Sequence, residues 1–192
     1  MIKRVCVYCA SSDNIDKIYT KDAEILGSLL GKMKMNIING AGKKGLMRTV
    51  SDAVLSAGGT VTGVIPNFMC ENGWCHQNLT DVIRTKTMHE RKKTMADMSD
   101  AAIALPGGYG TLEELLEIIT WRQLGLYNNP VIILNTNNYY APLLEMFRHA
   151  TEENFMRDEA ESVLWHVAQT PEEVIEIIYK SPVDFIHTSA IN

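Results

Sequence analysis

"AAIALPGGYGTLEELLEIITW" runs from Ala101 to Trp121. Its first five residues are apolar without alternation. That pattern marks a strand covered on both faces, as in a parallel sheet flanked by helices. Pro106 ends the run, since it has no N–H to give to a sheet ladder. Gly107, Gly108 and Gly110 permit positive φ and remove the Cβ that would block a close approach. Helical periodicity follows at once. At ~100° per residue, Leu112, Leu115, Leu116 and Ile119 form one apolar stripe, expected to face the sheet. Strand, glycine turn and helix together are the unit of a doubly wound α/β fold. Such folds bind ligands beyond the carboxyl ends of their strands, where this turn lies.

The same alternation extends through the chain. Strands are expected at 3–9, 35–38, 60–65, 82–85, 101–105, 131–134 and 163–167, and helices at 16–32, 45–57, 88–98, 112–125, 140–155 and 171–179. This predicts a parallel sheet of about seven strands with helices on both faces. Residues 1–180 read as one domain and 181–192 as a frayed tail. A chain of 192 residues with 46% hydrophobic content supports a core of that size without staples.

The net charge of -5 and the lack of a Lys/Arg run longer than "RKK" (91–93) argue against nucleic acid as a partner. The apolar stretch in "MIKRVCVYCASS" is too short for a membrane span or a signal segment, so a cytoplasmic protein with no membrane partner is expected. Cys6 and Cys9 form a C-x-x-C, but it lies in the run "VCVYC" and does not open a helix as a redox motif does. Cys70 and Cys75 form a looser pair. A zinc site would need both pairs to meet, and the first alternates across a strand. Reduced structural thiols, no metal and no cofactor are therefore expected.

A helix that opens after three glycines directs its free N–H groups and dipole into the loop, where a phosphate is the natural occupant. The turn is neither a P-loop nor a dinucleotide fingerprint. Thr111 is expected at the N-cap, and Thr111-x-x-Glu114 then reads equally as a capping box. Glu114, Ile118, Trp121 and Gly125 line up on another face. That face predicts either contact with a partner subunit or cover by the C-terminal segment. Upstream, "MHERKKTMADMSD" (88–100) forms a short helix. Met88, Arg91, Met95 and Met98 share one face of it. Arg91 either snorkels to water or meets a polar ligand among pliable methionines. His89 and Glu90 turn away.

"MHERK" followed by "PGGYGTLEELLEIITWRQLG" resembles the LOG (Lonely Guy) family of cytokinin-activating nucleotide hydrolases, whose members often carry the label of possible lysine decarboxylases. The similarity extends from "VCVYCASSD" to "PVIILN". It implies a Rossmann-like domain that forms homodimers. It also implies a metal-independent phosphoribohydrolase that cleaves cytokinin riboside 5′-monophosphates, and in many members AMP, to free base and ribose 5-phosphate. By motif, the catalytic residues fall on Arg91 and Glu114 and the phosphate loop on Gly107, Gly108, Tyr109, Gly110 and Thr111. Met88, Lys92 and Thr120 fall near the bound nucleotide, and Ser11 in the first-strand loop.

Three positions depart from the family pattern. "GAGKKGLMR" has Ala41 and Arg48 in place of glycines, and Gly73 of "GWCH" stands where relatives often have an acid. An alanine costs little if its φ is negative, and Arg48 would narrow or recharge the site. Arg48 and Gly73 support a rival reading, a non-catalytic nucleotide-binding or sensing protein. A lysine decarboxylase would need a lysine in a pyridoxal phosphate setting, and none is evident.

Overall fold

The computed structural model describes residues 2–156 and 163–181. Among the described residues one sheet contains β1 (Arg4–Tyr8), β2 (Asn36–Asn39), β3 (Thr60–Pro66), β4 (Asp81–Thr85), β5 (Ala101–Ala104), β6 (Val131–Leu134) and β7 (His166–Ala168). Its order is β4-β3-β2-β1-β5-β6-β7, and every neighbouring pair is parallel. The α-helices that lie wholly among the described residues are α1 (Lys17–Lys32), α2 (Gly45–Ser56), α3 (Asn67–Glu71), α4 (Met88–Asp97), α5 (Tyr109–Gln123), α6 (Ala141–Glu152) and α7 (Pro171–Lys180). None of them is long and apolar enough to cross a membrane.

The strand residues alternate between two core layers. Val5, Val7, Ile37, Val61, Ile103 and Ile132 pack with α1, α2 and α7 on one face. Cys6, Tyr8, Ile38, Val64, Ala102 and Ile133 pack with α4, α5 and α6 on the other. Covering both faces is what requires the continuous apolar runs of β5 and β6. The chain moves outward from β1 to β4 and then returns to β5 on the other side of β1. That reversal opens a crevice beyond the carboxyl ends of β1 and β5, the topological switch point of a Rossmann-like doubly wound sheet.

Some expectations need correction. The helix expected from 112 begins at Tyr109, because the glycine turn is itself helical from its third residue. On that helix Leu116 is exposed and Ile118 and Glu114 are buried, so the inward line runs through Thr111, Glu114, Leu115, Ile118 and Ile119. The last strand begins at His166, three residues later than expected. The five-residue α3 follows Pro66 and is too short to show a period. Of the tail expected at 181–192, residues 182–192 lie outside the described residues.

Candidate active site

A cavity of about 680 Å³ opens over the carboxyl ends of β5, β1, β2 and β3. Each strand exit contributes one wall.

At the β5 exit, Gly108 is the N-cap of α5 and no side chain caps the helix. The first-turn amides of Tyr109, Gly110 and Thr111 have no acceptor within the helix, because such groups never do. A Cβ built at Gly108 or at Gly110 would meet nothing within 4 Å, so both face open space. Gly107 differs: a Cβ there would overlap the Thr111 side chain. None of the three takes positive φ. They are needed for room and not for a left-handed turn. Two tyrosines that the sequence did not single out pin this turn. Tyr139 donates its hydroxyl to the Gly107 carbonyl at 2.7 Å, and Tyr140, fully buried, donates to the Leu105 carbonyl at 2.7 Å.

Thr111 is the third residue of α5 and not its cap, so the capping-box reading fails. Glu114 bonds elsewhere. Its Oε1 accepts from Nη1 of Arg91 at 3.1 Å, and the two residues are 8% and 6% exposed. Nε of Arg91 donates to the Val64 carbonyl at 3.0 Å. Arg91 therefore faces inward and does not snorkel. Burial pushes the Glu114 carboxyl up to about 7, against the pull of the Arg91 guanidinium. The helix carrying Arg91 starts with a true capping arrangement: Thr87 accepts from the Glu90 N–H, and Glu90 accepts from the Lys86 N–H.

The β1 exit brings Cys9, Ser11 and Ser12 to the cavity. Burial raises the thiols of Cys6 and Cys9 far above the ordinary range, so neither is reactive. Asp13 accepts from the Gly45 N–H at 2.8 Å and pairs with Arg48 at 3.4 Å. Arg48 is exposed and takes no part in the cavity wall, so it neither narrows nor recharges the site.

At the β2 exit, Gly40, Gly42, Lys43, Lys44 and Met47 line the cavity. Ala41 has φ +58°, so the condition for a cheap Gly-to-Ala exchange is not met. The segment is held in place from several sides. Asn39 accepts from the Ala41 N–H at 2.9 Å, and His76 N–H donates to the Ala41 carbonyl at 2.8 Å. Gly42 and Cys75 form an antiparallel bridge. The His76 Nδ1 accepts from the Asn78 N–H, which leaves the ring proton on Nε2 to donate to Asp52 at 3.0 Å. Asp52 and His76 escaped the sequence reading because they meet across 24 residues, and Asn39 because its bond to Ala41 depends on a left-handed turn.

Thus Ser11, Arg91, Gly108, Tyr109, Gly110, Thr111 and Glu114 meet around one cavity. Gly107 sits behind the wall. Met88 and Thr120 are exposed outside it, and Lys92 is buried between Glu113 and Glu117 on α5. Trp121 is half-buried against the α5 core layer.

Fold and cavity together define a Rossmann-like α/β protein with an anion-receptive helix end beside a buried Arg–Glu pair. A family model described as possible lysine decarboxylase matches residues 47–178. A probable cytokinin riboside 5′-monophosphate phosphoribohydrolase of Oryza sativa subsp. japonica, LOGL2, is 46% identical over 174 residues, covering 91% of this chain and 71% of that protein. The cytokinin riboside 5′-monophosphate phosphoribohydrolase of Rhodococcoides fascians is 43% identical, covering 80% of this chain and 78% of its own. The chain belongs to the LOG family. In fold it also matches the Moco carrier protein of Chlamydomonas reinhardtii, with a TM-score of 0.70 at 20% identity over 94% of this chain and 97% of that one.

Proposed function

We propose that this protein hydrolyses the N-glycosidic bond of cytokinin riboside 5′-monophosphates and of AMP, releasing free base and ribose 5-phosphate. The observation that carries the reading is the buried Arg91–Glu114 pair, 3.1 Å apart, facing a cavity that also receives the uncapped end of α5. The names of relatives 41–46% identical support it. The phosphate is held by the amides of Gly110 and Thr111, with Ser11 beside it. The ribose then lies over Glu114, one helical turn further in.

Breaking the C1′–N bond leaves positive charge on the sugar and an electron pair on the base. The Glu114 carboxylate stabilises the sugar cation and directs water to C1′, and the proton that water loses passes to the carboxylate and is made good on the base nitrogen, which leaves as the neutral base. Arg91 favours the ionised form of that carboxylate against the effect of burial and stabilises charge on the departing base. Arg48 lies at the surface, which removes one of the two grounds for the sensing alternative.

The test is incubation with AMP and N6-isopentenyl-AMP, with base and ribose 5-phosphate followed by chromatography. Release of both products is expected. Glu114→Gln, which keeps an oxygen for Arg91, loses about 10²-fold or more. Tight nucleotide binding without any release would support the sensing reading instead. We also propose a cytoplasmic homodimer; the α5 face carrying exposed Leu116 and Leu124 beside Trp121 supports the dimer.

A further inference from the structure

Three successive carbonyls lead into α5, and each is tied to a different group. Leu105 accepts from the Tyr140 hydroxyl, Pro106 from the Ala10 N–H at 3.2 Å and Gly107 from the Tyr139 hydroxyl at 2.7 Å. The last tie has a directional consequence. The peptide is trans, so the Gly107 carbonyl and the Gly108 N–H point in opposite directions. Gly107 and Tyr139 lie behind the cavity wall, whereas Gly108 is part of it. The Gly108 N–H therefore points to the cavity side, and among the described residues it has no backbone acceptor. A peptide between two glycines has no Cβ on either side to oppose its rotation, so another group must hold this plane.

The residue that holds it is fixed independently of its hydroxyl. The Tyr139 ring meets Tyr19 and Tyr140 edge-on, with centroids 5.8 Å and 5.1 Å away. Its loop passes through two successive left-handed asparagines, Asn137 at φ +52° and Asn138 at φ +57°. Such a conformation persists only where the surroundings enforce it. Here the Asn138 N–H donates to the Asn135 carbonyl at 3.0 Å, the Tyr140 N–H donates to Asn135 Oδ1 at 2.7 Å, and the Thr136 hydroxyl donates to Asp22 at 2.6 Å. The loop therefore presents the Tyr139 hydroxyl to Gly107 from a fixed position.

We infer that Tyr139 is a positioning residue for the substrate: by holding the Gly107 carbonyl it aims the Gly108 N–H at the phosphate, as a third amide donor beside Gly110 and Thr111. The inference deepens the proposed function and rests on its placement of the phosphate at α5.

The test titrates inorganic phosphate into isotope-labelled wild-type protein and Tyr139→Phe and follows the Gly108 amide by NMR. That amide should shift as the site fills, and Tyr139→Phe should weaken phosphate about tenfold or more, as loss of a bond to a charged group does. With AMP as substrate, KM should rise by the same order while kcat changes little, the mark of lost ground-state binding. The melting temperature should hardly move, because the ring contacts remain. A lowered melting temperature with unchanged phosphate affinity and KM would make Tyr139 a structural residue only and overturn the inference. A wild-type Gly108 amide indifferent to phosphate overturns it without any variant. Base release is scored separately. A phosphate response weakened by Tyr139→Phe in a protein that releases no base supports the inference and counts against the hydrolase, whereas base release with an indifferent Gly108 amide does the reverse.

Discussion

Gly40 leaves the space that the Arg91 guanidinium fills: a methyl group at position 40 would overlap Nη2 of Arg91. The clash falls on the tip of a side chain and not on backbone, so the fold can absorb it. The site cannot, because that tip is the end that reaches Glu114. Gly40→Ala is expected to leave the melting temperature nearly unchanged and to lower kcat/KM for nucleotide hydrolysis about 10²-fold, the usual effect of a small misplacement near reacting atoms. Full activity in this variant would show that the guanidinium's position is immaterial.

The buried carboxyl of Glu114 sets the pH dependence. Its pKa is raised to about 7, first by burial, so the carboxylate needed for catalysis forms only as pH rises through that value. The profile of kcat/KM should climb with a midpoint near 7 and level off above it, since this quantity reports the free enzyme. The stability effect has the opposite sense. Between the ordinary glutamate range and pH 7 the folded state holds a proton that the unfolded chain has lost, so stability falls as pH rises. Arg91→Ala removes the group that pulls the pKa down, and the carboxyl should then titrate above 7 by carbon NMR. A kcat/KM midpoint in the ordinary glutamate range would contradict the assignment.

The fold was legible where burial on two faces makes an unmistakable string, as in "AAIA" and "VIIL" (β5 and β6). The glycine turn was legible from its residue types, but the pairing of Arg91 with Glu114 only through motif resemblance. Arg91 and Glu114 stand on different helices 23 residues apart, and no local spacing connects them. Thr111-x-x-Glu114 imitates a capping box, while the cap actually made is Thr87, which accepts from the Glu90 N–H at the start of α4. The difference depends on where the glycine turn becomes helical, a backbone matter that residue types do not settle. The left-handed φ of Ala41 was hidden for the same reason, as was the His76–Asp52 contact, made by a segment without period.

Gly63 and Ala41 are packed closely enough to test by substitution. A Cβ at Gly63 would lie 2.6 Å from the Ala41 Cβ and would also crowd Leu79. Overfilling a buried strand position typically costs ~1–3 kcal/mol. Gly63→Ala should therefore lower the melting temperature by roughly 2–10 °C for a chain of this size. Adding Ala41→Gly removes one of the two clashing methyl groups, so the double variant should recover part of the loss. Additive losses in that cycle would show that the two positions do not touch.

Leu116 on α5 and Leu124 and Leu126 just past its end are 41%, 53% and 70% exposed, apolar area that a single chain leaves in water. The family resemblance places Met88, Lys92 and Thr120 near nucleotide, yet all three lie outside the cavity described above. Both facts are accounted for if this side of α4 and α5 abuts a second copy and its residues approach the partner's ligand. Light scattering should then give twice the mass of one chain. Leu124→Glu, which puts a charge into the buried part of such an interface, should give single chains and a raised KM for nucleotide. Because Leu124 is remote from Glu114 in the helix, its own chain's chemistry is untouched, and the KM effect reports the missing neighbour. A wild-type protein with the mass of one chain, or a monomeric Leu124→Glu with unaltered KM, would rule out a shared site.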